Sequence, residues 1–74
     1  MTNKEITFTK ERNIVTMSTN DEYSKECNLV SWNGGEAKLD IRTWRGDKPF
    51  KGIRLDEEEG KALYEGLKAL YEGN

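Results

Sequence analysis

The chain has 74 residues, of which 34% are hydrophobic and 35% charged, so we expect a single domain whose thin core would make a monomer marginally stable. One cysteine, Cys27, and the absence of histidine exclude an internal disulfide, an imidazole base and a typical metal site, so we expect neither catalysis nor a cofactor. No apolar run is long enough to span a membrane, which together with the lone thiol predicts a cytoplasmic protein.

Four strands are predicted in chain order, within one domain that covers residues 1–74 and has an ordered core over about 5–72. The first strand, over 5–19, is rich in β-branched residues, and the polar residues 10–13 predict a bulge or bend in it. The next three strands are predicted over 23–32, 36–44 and 50–55. A turn at 33–35 and a polar loop at 45–49 separate these three strands.

The segment after residue 55 predicts a single helix. Asp56 can cap this helix, and Glu59 three residues later completes a capping box. Leu63, Leu67 and Leu70 then recur on one helix face. We therefore predict an α+β fold, in which a four-stranded antiparallel sheet is followed by one C-terminal helix.

The helix contains the segment Lys-Ala-Leu-Tyr-Glu-Gly twice, at 61–66 and at 68–73. A seven-residue spacing keeps one stripe facing a partner, so the helix lies on its own sheet, meets a second copy, or does both. Gly66 inside the helix costs about 1 kcal/mol relative to alanine, which a close approach of two backbones or a kink would explain. Because the core is thin, we expect a homodimer, with an interface formed by Leu63, Gly66, Leu67, Leu70 and Tyr71.

Alternation along the strands predicts their register. A three-residue turn at 33–35, with Gly35 in the left-handed conformation, pairs Leu29 with Leu39 and Cys27 with Ile41. In the next hairpin the expected pairs are Leu39 with Leu55, Asp40 with Arg54, Ile41 with Ile53 and Trp44 with Phe50. This register assigns one sheet face to the core beneath the helix, and that face carries Cys27, Leu29, Leu39, Ile41, Ile53 and Leu55.

The opposite sheet face is expected to stay open, because one helix can cover only one face. On it the register collects Trp32, Lys38, Arg42, Trp44, Phe50 and Arg54. Single-stranded nucleic acid binds to such surfaces, because bases stack on aromatic rings while cations follow the phosphates.

Other interpretations of this face stay open. Lys38 and Arg42 could be structural, neutralised by Glu26 and Asp40, and the aromatic patch could be a protein interface. A hydrolase with paired carboxylates would have only the acidic residues 56–59 to use, and the start of the helix already explains that cluster.

Three segments carry a family resemblance. The runs KLDIRTW at 38–44 and KGIRL at 51–55, followed by an acidic-capped helix, resemble the transcriptional positive-cofactor-four family of single-stranded-DNA-binding coactivators. The run KECNLVSWNG at 25–34 is similar to the small bacterial subgroup, and the match extends from about residue 15 to residue 70. Tyr23 departs from this pattern, since the bacterial relatives are expected to have a tryptophan there.

The resemblance implies a dimer joined largely through its helices, which binds single-stranded DNA along the sheet with little sequence preference. RNA is an open second ligand, because stacking does not read the sugar. The implied role is in transcription, replication or repair in the bacterial cytosol or nucleoid, with protein partners unnamed. By segment, the family's binding residues carry over to Lys25, Trp32, Lys38, Arg42, Trp44 and Lys51, and the register adds Phe50 and Arg54.

Overall fold

A computed structural model describes residues 7–73 of the chain. Its elements are β1 (Phe8–Thr19), β2 (Ser24–Trp32), β3 (Lys38–Arg45), β4 (Lys48–Leu55) and α1 (Glu57–Tyr71). The strands form one antiparallel sheet in the order β1-β2-β3-β4. The predicted α+β order of four strands and one C-terminal helix is therefore confirmed, while residues 5 and 6 of the predicted first strand lie outside the described residues.

The register between β2 and β3 is confirmed, although the turn that connects them differs from the prediction. Leu29 pairs with Leu39 and Cys27 with Ile41. Positive φ angles occur at Asn33 (54°) and Gly34 (77°), and the backbone N–H of Gly35 donates to the carbonyl of Trp32 at 3.0 Å. The predicted left-handed Gly35 is wrong, because Asn-Gly favours a two-residue turn with positive φ at both central positions.

An extra residue after this turn restores the predicted register. Glu36 and Ala37 together lie opposite Ser31, between the turn and the first ladder pair, Val30 with Lys38. The Ser31 hydroxyl donates to the carbonyl of Gly35 at 2.5 Å. A two-residue turn is therefore compatible with the register that was predicted from a three-residue turn.

The register between β3 and β4 agrees with the prediction except at its far end. Leu39 pairs with Leu55, and Ile41 with Ile53. Trp44, however, pairs with Pro49, because a register shift after Arg42 places one extra residue in β4. The predicted pairing of Trp44 with Phe50 is therefore wrong. Proline is tolerated at this position because β4 is an edge strand.

β1 is the most irregular strand of the sheet. Its 12 residues pair with the nine residues of β2 through register shifts at Lys10/Arg12, Asn13/Val15 and Thr16/Ser18. The first of these shifts lies in the predicted bend at 10–13. Bulges increase the local twist and bend the strand. The bend in β1 accompanies the contacts that Phe8 and Lys10 make with Trp44 across one face of the sheet.

The core lies on the sheet face that was predicted to be open, which we call the aromatic face. Val30 and Trp44 are completely buried there, together with the polar residues Asn28 and Asp40. The opposite face, which we call the aliphatic face, is less buried than predicted, and Ile53 on it is 55% exposed. The other predicted core residues on the aliphatic face are half-buried: Cys27, Leu29, Leu39, Ile41 and Leu55.

The helix begins as predicted, but its contact with the sheet is small. Asp56 accepts a hydrogen bond from the backbone N–H of Glu59 at 2.8 Å, and Glu59 accepts one from the N–H of Asp56 at 2.9 Å. The helix meets β3 and β4, and a Cβ atom at Gly60 would lie 3.2 Å from Leu39 Cδ2. No residue of α1 is buried. None of the helices within 7–73 combines the length and apolar character needed to cross a bilayer.

Candidate nucleic-acid interface

A buried carboxylate organises the centre of the aromatic face. Asp40 has no exposed surface, and it accepts hydrogen bonds from Arg42 through Nε at 2.6 Å and Nη2 at 2.7 Å. The indole Nε1 of Trp32 donates to the same carboxylate at 3.2 Å. Such a two-pronged contact between guanidinium and carboxylate is strong and directional. Asp40 therefore fixes the positions of two side chains that were predicted to bind nucleic acid.

Arg42 is held in place from its other side as well. Its Nη1 donates to the carbonyl of Phe50 at 2.9 Å, and its guanidinium lies 4.7 Å from the centre of the Trp32 ring. A Cβ atom at Gly52 would lie 2.0 Å from the Arg42 Cβ, so glycine is required where the two strands pass. Arg42 is therefore neutralised by Asp40 and packed against Trp32.

Arg54 provides the accessible positive charge at this end of the face. Its guanidinium lies 5.4 Å from the Trp32 ring centre, and it takes part in none of the ion pairs of the described residues. Together with Trp32, Asn33 and Arg42 it lines a shallow cavity of about 200 Å³. This cavity joins an aromatic ring to a cation that forms no ion pair among the described residues.

Trp44 does not provide the open stacking surface that the sequence predicted. The Phe8 ring lies 5.2 Å from it, and the Lys10 ammonium lies 4.0 Å from its ring centre. With no exposed surface, Trp44 belongs to the core, so the prediction that its ring lies open is wrong. Its buried Nε1 has no hydrogen-bond partner among the described residues. The physical reason is the bent strand β1, which brings Phe8 and Lys10 over the ring.

A second cluster of aromatic and basic residues lies around the β3–β4 hairpin. The rings of Tyr23 and Phe50 are 5.8 Å apart in an edge-to-face arrangement, and they are 37% and 38% exposed. The Arg45 guanidinium lies 5.9 Å from the Tyr23 ring centre, and Lys48 Nζ lies 5.7 Å from that of Phe50. This cluster combines two accessible rings with two exposed cations.

Sequence reasoning missed Tyr23, Arg45 and Lys48 as site residues. It treated Tyr23 as the first residue of a regular strand, whereas β2 begins at Ser24. The Asn20 side chain accepts hydrogen bonds from the N–H groups of Glu22 and Tyr23, both at 2.8 Å, and so holds Tyr23 in the turn. The asparagine before this segment was the signal that could have marked Tyr23 as a turn residue.

Glu26 pairs with Lys10 rather than with Arg42. The Lys10 ammonium lies 3.3 Å from the Glu26 carboxylate, which also accepts hydrogen bonds from Ser24 at 2.5 Å and Asn28 at 3.0 Å. Burial opposes the charged form of Glu26, but these hydrogen bonds and the Lys10 charge outweigh it and hold the pKa of Glu26 below its ordinary value. On this face, Glu26 therefore forms an ion pair with Lys10, and Asp40 forms one with Arg42.

The remaining predicted site residues are not all brought together. Lys25 alternates with Glu26 and therefore lies on the aliphatic face, away from Trp32. Lys38, at the start of β3, and Lys51, in the irregular part of β4, are exposed, and neither takes part in an ion pair of the described residues. The structure thus groups Trp32, Arg42 and Arg54, places the Phe50 ring against Tyr23 instead, and leaves three lysines at separate positions.

Two further features bear on reactivity, namely the possible metal ligands and the Cys27 thiol. Within 7–73, no three His, Cys, Asp or Glu side chains are arranged to hold a metal ion. Burial, together with the charge of nearby Asp40, raises the pKa of the Cys27 thiol. This thiol is therefore protonated at neutral pH.

Comparison with known proteins shows which family the chain belongs to. No family model matches it. An uncharacterized protein of Treponema pallidum (strain Nichols) is 37% identical to it over 71 residues, which cover 92% of this chain and 84% of that protein. The chain therefore belongs to the same family as this spirochaete protein.

Proposed function

We propose that the protein binds single-stranded DNA, with RNA as a second possible ligand, through the aromatic face of its sheet. The observation that carries the proposal is that rings lie beside cations at two places. Trp32 lies beside Arg42 and Arg54 on the aromatic face. The Tyr23–Phe50 ring pair lies beside Arg45 and Lys48 at the β3–β4 hairpin. Stacking of bases on such rings contributes roughly 1–3 kcal/mol per base and tolerates any sequence. A duplex keeps its base faces stacked inside and does not present them to this surface.

Positive charge beside the rings supports the same proposal. Arg54, Arg45 and Lys48 lie beside aromatic rings and are not neutralised by carboxylates of the described residues. They can follow a phosphate backbone while the rings accept bases. Because the whole chain has a net charge of −2, this attraction is local and does not extend over the whole surface.

The dimer is the second part of the proposal, and the aliphatic face supports it. Val15, Cys27, Ile41 and Ile53 form one row across all four strands, yet Val15 is 47% exposed and Ile53 is 55% exposed. Val30 and Trp44 are the only apolar side chains among the described residues that are buried. So small a core does not offset the entropy of ordering the chain, and we infer that a second copy covers the aliphatic face.

The helix provides the other half of this dimer surface. Leu67 is 43% exposed, Leu70 is 65% exposed and Tyr71 is 78% exposed. Between α1 and the sheet lies an open groove of about 610 Å³, whose apolar walls include Leu29, Leu39, Leu55 and Tyr64. The apolar stripe of a second helix has the chemistry to fill it. Homodimerisation would bury the helix stripe and the aliphatic face together while leaving the aromatic face free.

This proposal agrees with the resemblance to the positive-cofactor-four coactivators and places the protein among cytosolic proteins that act near single strands during transcription, replication or repair. The competing proposal is a protein-interaction module that uses the aromatic face or the acidic helix. It predicts no oligonucleotide binding, or binding that does not depend on salt.

A fluorescence titration tests the proposal. The protein is titrated with oligo-thymidine, with an RNA strand of equal length and with a duplex of equal length, at several salt concentrations. We expect the single strands to bind more tightly than the duplex, with a salt slope of roughly −0.7 for each phosphate neutralised.

Arg54→Ala and Lys68→Ala make a matched pair for this titration. The first removes a cation from the aromatic face and should weaken binding and reduce the slope, whereas the second removes an exposed cation from α1 and should change little. Equal binding of duplex and single strand, or a slope near zero, contradicts the proposal.

A further inference from the structure

Asp40 is a carboxylate whose position needs explanation, because it lies at the centre of a surface proposed to bind phosphates. It is completely buried, and each of its side-chain hydrogen bonds comes from Trp32 or Arg42, which are half-buried at the surface above it. A negative charge here reduces the attraction for a polyanion. The charge is also costly to bury, unless its partners compensate it fully.

The geometry shows what Asp40 holds in place. One carboxylate oxygen, Oδ2, accepts from both the Trp32 indole and Nη2 of Arg42, and the other accepts from Nε of Arg42. With its remaining nitrogen bound to the Phe50 carbonyl, the guanidinium is tethered at both ends and lies 4.7 Å from the Trp32 ring centre. The indole and its supporting cation are therefore locked in one arrangement before any ligand arrives.

We propose that Asp40 is a positioning residue for single-strand binding, whose negative charge strengthens binding because it orders Trp32 and Arg42. This inference rests on the proposed function of the aromatic face. Preorganisation lowers the entropy that a binding surface loses when its ligand docks. Under this proposal, removal of the Asp40 charge weakens the binding of a polyanion. Simple electrostatics predicts the opposite, because removal of a carboxylate favours a polyanion.

Asp40→Asn is the principal test, and Glu26→Gln is its matched control. Both substitutions remove one negative charge from the same face. Glu26 lies opposite Arg42 in the register of β2 and β3, but its side-chain hydrogen bonds go to Lys10, Ser24 and Asn28, and none among the described residues goes to Trp32 or Arg42. We expect Asp40→Asn to weaken oligo-thymidine binding about tenfold, the loss expected for one charge-assisted contact. Glu26→Gln should bind as tightly as the wild type, or more tightly.

Arg42→Lys keeps the net charge unchanged and serves as a second variant in case Asp40→Asn does not fold. Lysine retains the positive charge but loses the planar fork that meets Asp40 and the stack against Trp32. We expect about tenfold weaker binding from this variant too. If the cation mattered only as a charge, its affinity would equal that of the wild type.

The indole signals of the two tryptophans give an independent readout by ¹⁵N NMR. Loss of the Asp40 carboxylate should shift the Trp32 N–H signal and speed its exchange with solvent, while the Trp44 signal keeps its position. A disturbance of the whole fold would move both signals.

The outcomes separate this inference from the function on which it rests. If the wild type binds no single strand, both fail. If the wild type binds, and Asp40→Asn binds as tightly as Glu26→Gln, the function stands and the positioning role of Asp40 is refuted. Wild-type affinity in Arg42→Lys refutes it equally. Weakened binding in Asp40→Asn and Arg42→Lys, with Glu26→Gln unimpaired and only the Trp32 indole signal shifted, supports it.

Discussion

The Lys10 ammonium lies 4.0 Å from the centre of the Trp44 ring and separates it from solvent. Lys10 is in turn held by Glu26 at 3.3 Å, and the Phe8 ring covers Trp44 at 5.2 Å. Trp44, which the sequence predicted to contact nucleic acid, is thus a core residue. The distinction between these two roles governs the first prediction.

Trp44→Ala is expected to destabilise the fold by about 3–5 kcal/mol, because it removes the largest fully buried side chain and leaves a cavity. Urea denaturation followed by circular dichroism measures the change. Phe50→Ala is the control, since its ring is 38% exposed and its removal should cost far less stability. Equal stability of the Trp44→Ala variant and the wild type would show that the ring is not part of the core.

Tyr23→Ala is expected to weaken oligo-thymidine binding by roughly 1–3 kcal/mol, because a stacking ring beside Phe50 and Arg45 is lost. The fold should persist, since Tyr23 is 37% exposed. Tyr23→Phe keeps the ring and should bind like the wild type. Unchanged affinity in Tyr23→Ala, measured by the same titration, would remove this second cluster from the binding surface.

Gly66→Ala distinguishes a helix that stays exposed from a helix that meets a second copy. Within the protomer nothing lies within 4 Å of the added Cβ, so alanine should stabilise the isolated helix by about 1 kcal/mol. If two backbones approach closely at Gly66, the added methyl group should instead weaken the dimer. Sedimentation equilibrium measures the dimer dissociation constant, with Glu65→Ala as the neighbouring control. A dimer as tight as the wild type would exclude a close approach at this position.

Glu26 is expected to contribute to the acid sensitivity of the fold. Its pKa in the folded state is lowered from the ordinary value of 4.5, so its contribution to stability is fully present above that value. The contribution is lost as the pH falls below 4.5 and through the lowered pKa. Glu26→Gln should therefore lose less stability between neutral and acidic pH than the wild type does.

Urea denaturation at a series of pH values measures this dependence. Glu11→Gln, which removes an exposed carboxylate of β1, provides the control and should retain the wild-type profile. Identical pH profiles for Glu26→Gln and the wild type would show that the Lys10–Glu26 pair does not couple stability to pH.

The sequence by itself determined the elements and most of the sheet register. Alternation of apolar residues in β2, β3 and β4 fits one pairing, because a slip by one residue would move every side chain to the other face. The capping box of Asp56 and Glu59 is a local interaction, so it could be predicted from a spacing of three residues. The seven-residue repeat likewise predicted an apolar helix stripe, which the structure leaves exposed.

Only the tertiary structure decided which face of the sheet became the core. Alternation assigns Trp44 to a face but does not say what covers that face. Coverage depends on the three register shifts of β1 and on the contacts of Phe8 and Lys10 with Trp44, between residues more than 30 positions apart in the chain. Bulges leave little trace in a single sequence, because they change the twist of a strand without changing its composition. Burial is decided by such long-range contacts, whereas pairing is decided by local pattern.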